Sequence, residues 1–150
     1  MSLFFRIILP VAVVIFVLDR SSKIWIVEWL DLPSVLAIDV LPPFLNFRMA
    51  WNTGINFGIM GGGSPWVLIV LSIAISAALL WWVLRRRQVT LAWGAGAVIG
   101  GALGNAWDRF EYGAVADFLN MSCCGIHNPF SFNIADIAIF AGAIWIALRA

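Results

Sequence analysis

Histidine occurs once in this 150-residue chain, at position 127, and cysteine only at the adjacent positions 123 and 124. With no CxxC and no HxxxH pair, the sequence carries no recognisable metal-ligand set, and no cofactor is expected. A disulfide between neighbouring cysteines would be strained, so no covalent staple is expected either. Charge is scarce as well: 11% of residues are charged and the net charge is +1, against about 25% charged residues in soluble domains. That balance leaves no footprint for nucleic acid, and no basic patch with stacking aromatics is present. The parts of a serine protease are also missing. Ser21, Ser22 and Ser64 have no His or Lys in a recognisable triad arrangement, and Lys23 is the direct neighbour of Ser22, which points elsewhere on a helix. The first apolar run is followed by Asp-Arg-Ser-Ser-Lys rather than a small-x-small cleavage site, so it reads as an uncleaved span. The Asn120-Met121-Ser122 triplet fits a glycosylation pattern that is common by chance and carries no weight.

What fills the chain instead is apolar and aromatic. Hydrophobic residues make up 63%, the mean hydropathy is +0.97, and the excess runs in blocks rather than in alternation, which is the membrane pattern. Nine tryptophans suit aromatic belts at two water boundaries. The blocks predict four membrane spans, at about 3–25, 65–84, 91–107 and 132–148. Pro10 falls inside the first, and Pro65 suits the first turn of the second with Ser64 as its cap. The third is rich in glycine, which lets neighbouring helices approach closely. Residues 28–64 are broken by Pro and charge. There, 35–41 and 44–50 have strand composition, and Pro42-Pro43 between them can turn the chain, which suits a small sheet on the membrane surface. Residues 110–131 read as a polar loop. The expected fold is an all-α membrane protein, a single domain of four transmembrane helices with a small extracytoplasmic β-sheet or cradle formed from 28–64 and the 110–131 loop.

Orientation follows from the basic residues. Arg6, Arg85, Arg86, Arg87 and Arg149 share one side of a four-span chain, and the positive-inside rule makes that side cytoplasmic, with both termini. Asp19, Asp117, Asp136 and the two polar stretches then gather at the outer surface.

That gathering is the most informative feature. Asn105 and Arg109 are four apart and share a helix face; Asn133 and Asp136 are three apart and share another. Asp136 is followed at once by apolar residues, and an acid in mid-span costs about 2.5–3.5 kcal/mol, so one kept there faces the bundle interior or water and has a function. Asp117 sits in Val-Ala-Asp-Phe-Leu, an apolar patch in which burial and a second carboxylate would both raise its pKa. Two carboxyls in one site split a proton, so one can activate water while the other polarises a carbonyl. Asp19 and Lys23, also four apart, form either a plain intrahelical ion pair at the water boundary or part of the site. The glycine-rich run at 54–63 is either a flexible linker or a cover over the site. Taken alone, these residues fit an aspartic protease, a small transporter or channel with buried acids, or a scaffold subunit. A transporter would place its acids nearer the midplane.

Five blocks then resemble one family, in order and across most of the chain: Asp19-Arg-Ser-Ser-Lys23, Asn52-Thr-Gly-Ile-Asn-Phe57, Gly100-Gly-Ala-Leu-Gly-Asn-Ala-Trp-Asp-Arg109, Val115-Ala-Asp-Phe118 and Asn133-Ile-Ala-Asp136. The chain resembles lipoprotein signal peptidase, or signal peptidase II, a bacterial membrane aspartic protease. The resemblance implies a catalytic dyad of Asp117 and Asp136. It implies that Asn52, Gly54, Asn105, Arg109 and Asn133 shape the site and hold substrate, supported by Asp19, Lys23 and Asp108. Asn56 departs from the small residue expected in its block. The resemblance further implies an enzyme of the bacterial inner membrane, acting as a monomer, whose site lies near the periplasmic surface. Its partners would be membrane lipids, globomycin-type inhibitors and lipid-modified prolipoproteins, which it would cut just before the diacylglyceryl-cysteine.

Overall fold

A computed structural model describes residues 2–54 and 64–150. Helix α1 (Leu9–Lys23) is extended at both ends by wide-turn, π-type segments, Phe4–Ile8 and Ile24–Trp29. The Leu9 N–H reaches back five residues to the Phe4 carbonyl, so Pro10 falls in the first turn of the α-helical part, where a missing N–H costs least. A one-turn helix α2 (Leu32–Val35) leads into strands β1 (Ala37–Leu41) and β2 (Leu45–Asn52), with Pro42 and Pro43 in the turn between them. Helices α3 (Pro65–Arg86) and α4 (Val89–Tyr112), strand β3 (Val115–Asn120) and helix α5 (Ile134–Arg149) complete the chain.

Helix α4 is the centre of the bundle. Leu91, Ala92, Ala95 and Ile99 are buried against Ile8, Ala12 and Val83, and its glycines admit the neighbouring backbones. A Cβ on Gly101 would lie 2.5 Å from the Ala135 carbonyl of α5, and one on Gly104 would lie 2.6 Å from the Asp19 carboxylate of α1. Helix α3 is the reverse case: only Ser76 and Val83 are buried, while Trp66, Val70, Leu71, Ile75 and Trp81 are exposed. Among the described residues, α3 and α4 are the two helices long and apolar enough to cross a membrane on length and composition, with best-window mean hydropathies of 2.6 and 1.2.

The strands form one antiparallel sheet in the order β1-β2-β3. Its floor is a second apolar cluster of Ile26, Leu32, Phe47 and Phe118, in which Phe47 and Phe118 meet edge to face at 6.2 Å. The sheet therefore rests on the extension of α1.

Three expectations need correction. Helix α4 runs to Tyr112, into the 110–131 stretch read as a polar loop. The stretch read as polar loop contains β3, which is buried along most of its length and so lacks the alternation that marks a half-exposed strand. Ser64 precedes α3 but makes no side-chain cap bond.

Candidate active site

Asn133 ends an extended segment (φ −134°, ψ 179°) and caps α5. Its Oδ1 accepts from the Asp136 backbone N–H at 2.9 Å, while Asp136 Oδ2 accepts from the Asn133 N–H at 3.3 Å. This reciprocal capping box satisfies two helix-end donors and fixes both side chains. It also fixes the amide orientation, because Oδ1 must be the acceptor. The Nδ2 group then points the other way, donating to Asp117 Oδ1 at 2.7 Å, Asn105 Oδ1 at 3.1 Å and the Ala116 carbonyl at 3.3 Å. One fully buried residue therefore touches the carboxyls of both Asp117 and Asp136.

Each acid has a second amide partner. Asn52 of β2 donates to Asp117 Oδ2 at 3.1 Å, a contact set by the pairing of Ala50 with Asp117 and Asn52 with Val115. Asn105 of α4 donates to Asp136 Oδ1 at 2.9 Å. Burial, and then the nearby charge of Asp136, push the Asp117 carboxyl up to about 6, against the opposing pull of the Asn52 and Asn133 hydrogen bonds. Asp117 is 4% exposed, and Asp136 is partly exposed. A cavity of about 460 Å³ opens beside Asp117, lined also by Trp51, Asn52, Gly54, Phe130 and Ser131.

Behind the two acids lies a buried ion network. Lys23 Nζ is 2.7 Å from Asp19 Oδ2 and 2.7 Å from Asp108 Oδ2, and all three side chains are fully buried. The pair is thus no water-boundary contact. The free oxygen of Asp19 accepts from the Ala135 N–H at 2.9 Å, and Asp108 Oδ2 also accepts from the Ala116 N–H at 3.1 Å. Each buried carboxylate thus holds the backbone amide of the residue just before one member of the acid pair. Lys23 links the two carboxylates and lies 3.4 Å from Asn105 Oδ1. Four elements are tied at fixed spacing by three charges.

Arg109 donates from Nη1 to the Asn105 carbonyl at 3.2 Å. Its buried Nε has no hydrogen-bond partner among the described residues. Gly54 is close by: a Cβ there would lie 3.3 Å from Arg109 Nη2, and its N–H donates to Asn52 Oδ1 at 2.9 Å. All ten expected site residues therefore join one connected assembly. The cover expected over the site falls mostly at 55–63, outside the described residues, as does Asn56.

Two contributors escape the sequence reading. Arg20 donates to Asp108 Oδ1 at 2.8 Å and to Glu111 Oε2 at 2.7 Å. Its signal was the surplus of acids near α4's end, which Arg109 alone does not balance. Asn120 is buried and donates to the carbonyls of Asn128 and Phe130 at 2.8 and 2.9 Å, pinning the loop that walls the cavity. Nothing in its local sequence announces that. Cys123 and Cys124 are free and exposed.

Known proteins share both the sequence and this architecture. A family model described as Signal peptidase (SPase) II matches residues 11–150. The lipoprotein signal peptidase of Methylorubrum extorquens is 39% identical over 134 residues, covering 87% of this chain and 77% of that protein. That of Rhodopseudomonas palustris is 41% identical over 138 residues, covering 87% and 82%. A bacterial membrane enzyme structure solved by the in meso method at 1.9 Å aligns with a TM-score of 0.77 at 26% identity, covering 94% of this chain and 90% of that one. The fold, the connected polar assembly and these matches agree: the chain belongs to the signal peptidase II family.

Proposed function

We propose that the chain is a single-domain, four-span aspartic endopeptidase of the bacterial inner membrane. It removes the signal peptide from diacylglyceryl-modified prolipoproteins by cutting just before the lipidated cysteine. The observation that carries this reading is Asn133, whose side-chain amide bonds Asp117 while its backbone amide bonds Asp136, so that two carboxyls are held against one residue. The relatives' shared name, lipoprotein signal peptidase, supports the substrate.

The chemistry follows from the pair. The ionised carboxyl takes a proton from water, whose oxygen attacks the scissile carbonyl, while the protonated partner gives its proton to the carbonyl oxygen. The tetrahedral intermediate collapses as the C–N bond breaks and the leaving nitrogen is protonated. The products are a signal-peptide carboxylate and the free amine of the lipidated cysteine. The pair titrates as one unit. Arg109, whose Nη2 lies beside Gly54 and whose Nε has no partner among the described residues, anchors a substrate carbonyl, and Asn52 and Asn105 keep the two acids aimed at it.

Placement in the membrane has its own support. Gly94 of α4 lies against Trp145 and Ile146 near the end of α5, and Gly96 lies against Ile8 and Val11 near the start of α1. Arg6, Arg85–Arg87 and Arg149 therefore share one end of the bundle, and the acid pair shares the other with the sheet. The positive-inside rule puts the arginine end in the cytoplasm and the acids at the outer surface. A lipidated substrate then reaches the site sideways from the bilayer, and the enzyme needs no second copy.

The test is cleavage by the purified protein of one prolipoprotein with and without the diacylglyceryl group. Cutting confined to the lipidated form and blocked by globomycin is expected. Equal cutting of both forms would remove the substrate assignment.

A further inference from the structure

A second cavity, about 400 Å³, lies on the sheet beside the one that holds Asp117, and Pro129 lines both. Its other walls include Pro42, Asn46, Arg48, His127 and Asn128; no residue of the helical bundle contributes. Strand β2 runs beneath the two cavities, with Asn46 and Arg48 in the first and Ala50, Trp51 and Asn52 in the second. From Asn46 to Asn52 the strand rises about 20 Å at about 3.3 Å per residue, the length of about six extended residues.

The walls of this second cavity are held in place. Asn120 clamps the Asn128 and Phe130 carbonyls, and Ser122 Oγ accepts from the Asn128 N–H at 3.0 Å. The Ser122 N–H donates to the Pro43 carbonyl at 3.2 Å, and Ser131 Oγ donates to the Arg48 carbonyl at 2.8 Å. Against these fixed walls, one contact is easily exchanged. Arg48 donates to Asp39 at 2.8 Å, but both side chains are about half exposed, and such a pair is worth little in water. Arg48 can therefore turn to an incoming partner at small cost.

We propose that this second cavity is a substrate subsite, one that holds the extended polar polypeptide following the scissile bond. The inference rests on the endopeptidase reading above. A signal peptide is an apolar membrane segment, whereas this cavity of sheet and loop is walled by Arg48, His127, three asparagines and three prolines, groups that suit the polar chain on the other side of the cut. The chain leaving the dyad follows β2, meeting Arg48 about four residues on and Asn46 at the far end of the cavity about six residues on. Its backbone carbonyls and amide or acidic side chains replace the Asp39 contact of Arg48.

Two lipidated substrates test it, one ending two residues after the lipidated cysteine and one ending about ten residues after it. The longer is expected to show a KM about five- to ten-fold lower, the effect of one or two net hydrogen bonds. The double variant Arg48→Ala, His127→Ala is expected to abolish that advantage while cutting the short substrate at the wild-type rate, which also reports that the fold is intact. A photo-crosslinker at the sixth residue past the cut should be captured within 42–48 or 122–129. Equal KM for both lengths, equal losses on both in the variant, or capture only by the helices would overturn the subsite and leave the endopeptidase standing. If neither substrate is cut, the endopeptidase reading falls and the subsite with it.

Discussion

Asp117 is the residue whose chemistry is most exposed to measurement. Its carboxyl, raised to about 6, is harder to ionise in the folded chain than in the unfolded one, where an aspartate titrates near 3.9. Such a group binds its proton more tightly when folded, so its contribution to stability is complete below about pH 4 and lost as the pH climbs through about 6. Asp117→Asn removes that dependence. Thermal unfolding in detergent should show the variant gaining on wild type as pH rises from 4 to 7. The gain should be at most about 3 kcal/mol, since each tenfold difference in proton affinity between the folded and unfolded chain is worth about 1.4 kcal/mol. The amide oxygen can accept from only one of Asn133 and Asn52, a loss that lowers the variant's stability by the same amount across the range and leaves the slope unchanged. A pH-independent difference would mean that Asp117 is not held up by burial and its neighbour. At this scale the sequence was most legible: an acid followed at once by apolar residues, and another within an apolar patch, stand out where charge is rare. Arg20 and Asn120 did not stand out, because their partners lie far off in sequence or in an irregular loop.

Among elements, the decisive feature is the buried ion network that fixes α1 against α4, β3 and α5. Lys23→Met would leave Asp19 and Asp108 buried with one fewer cation, and breaking such an arrangement typically costs about 3–5 kcal/mol. The Tm in detergent should fall accordingly. Asp39→Ala, which removes the half-exposed pair with Arg48, should cost under about 0.5 kcal/mol. Similar losses in the two variants would show that the network is not what holds the elements together. The apolar blocks made the helices readable, whereas the capping box at Asn133 was seen only as two polar residues on one helix face. The strand β3 was not readable. It pairs with β2 across more than sixty residues and is buried along most of its length, so its pattern has no period that a local window can detect.

For the whole molecule, the proposed orientation puts the arginine-rich end of the bundle in the cytoplasm and the sheet outside. Cys123 and Cys124 are exposed on the loop after β3, so they report the outer face without engineering. A membrane-impermeant maleimide applied to intact spheroplasts should label them, and a cysteine placed at Arg86 in a Cys-free background should label only after lysis. The reverse pattern would invert the topology. The proposed orientation rests on the basic residues and the positive-inside rule. What composition left open, protease against transporter or scaffold, was closed by five short motifs, whose described polar residues the fold brings to one end of the bundle. The central claim is that Asp117 and Asp136 act as one catalytic unit. Residues that work together lose activity non-additively, and losing a general acid or base costs at least about 10²-fold. Cleavage rates of a lipidated prolipoprotein by Asp117→Asn, Asp136→Asn and the double variant are therefore the most direct measurement. Each single change should lower the rate by at least about 10²-fold with the double no worse than either; a single variant that cuts normally, or a double whose loss is the product of the two, would contradict the dyad.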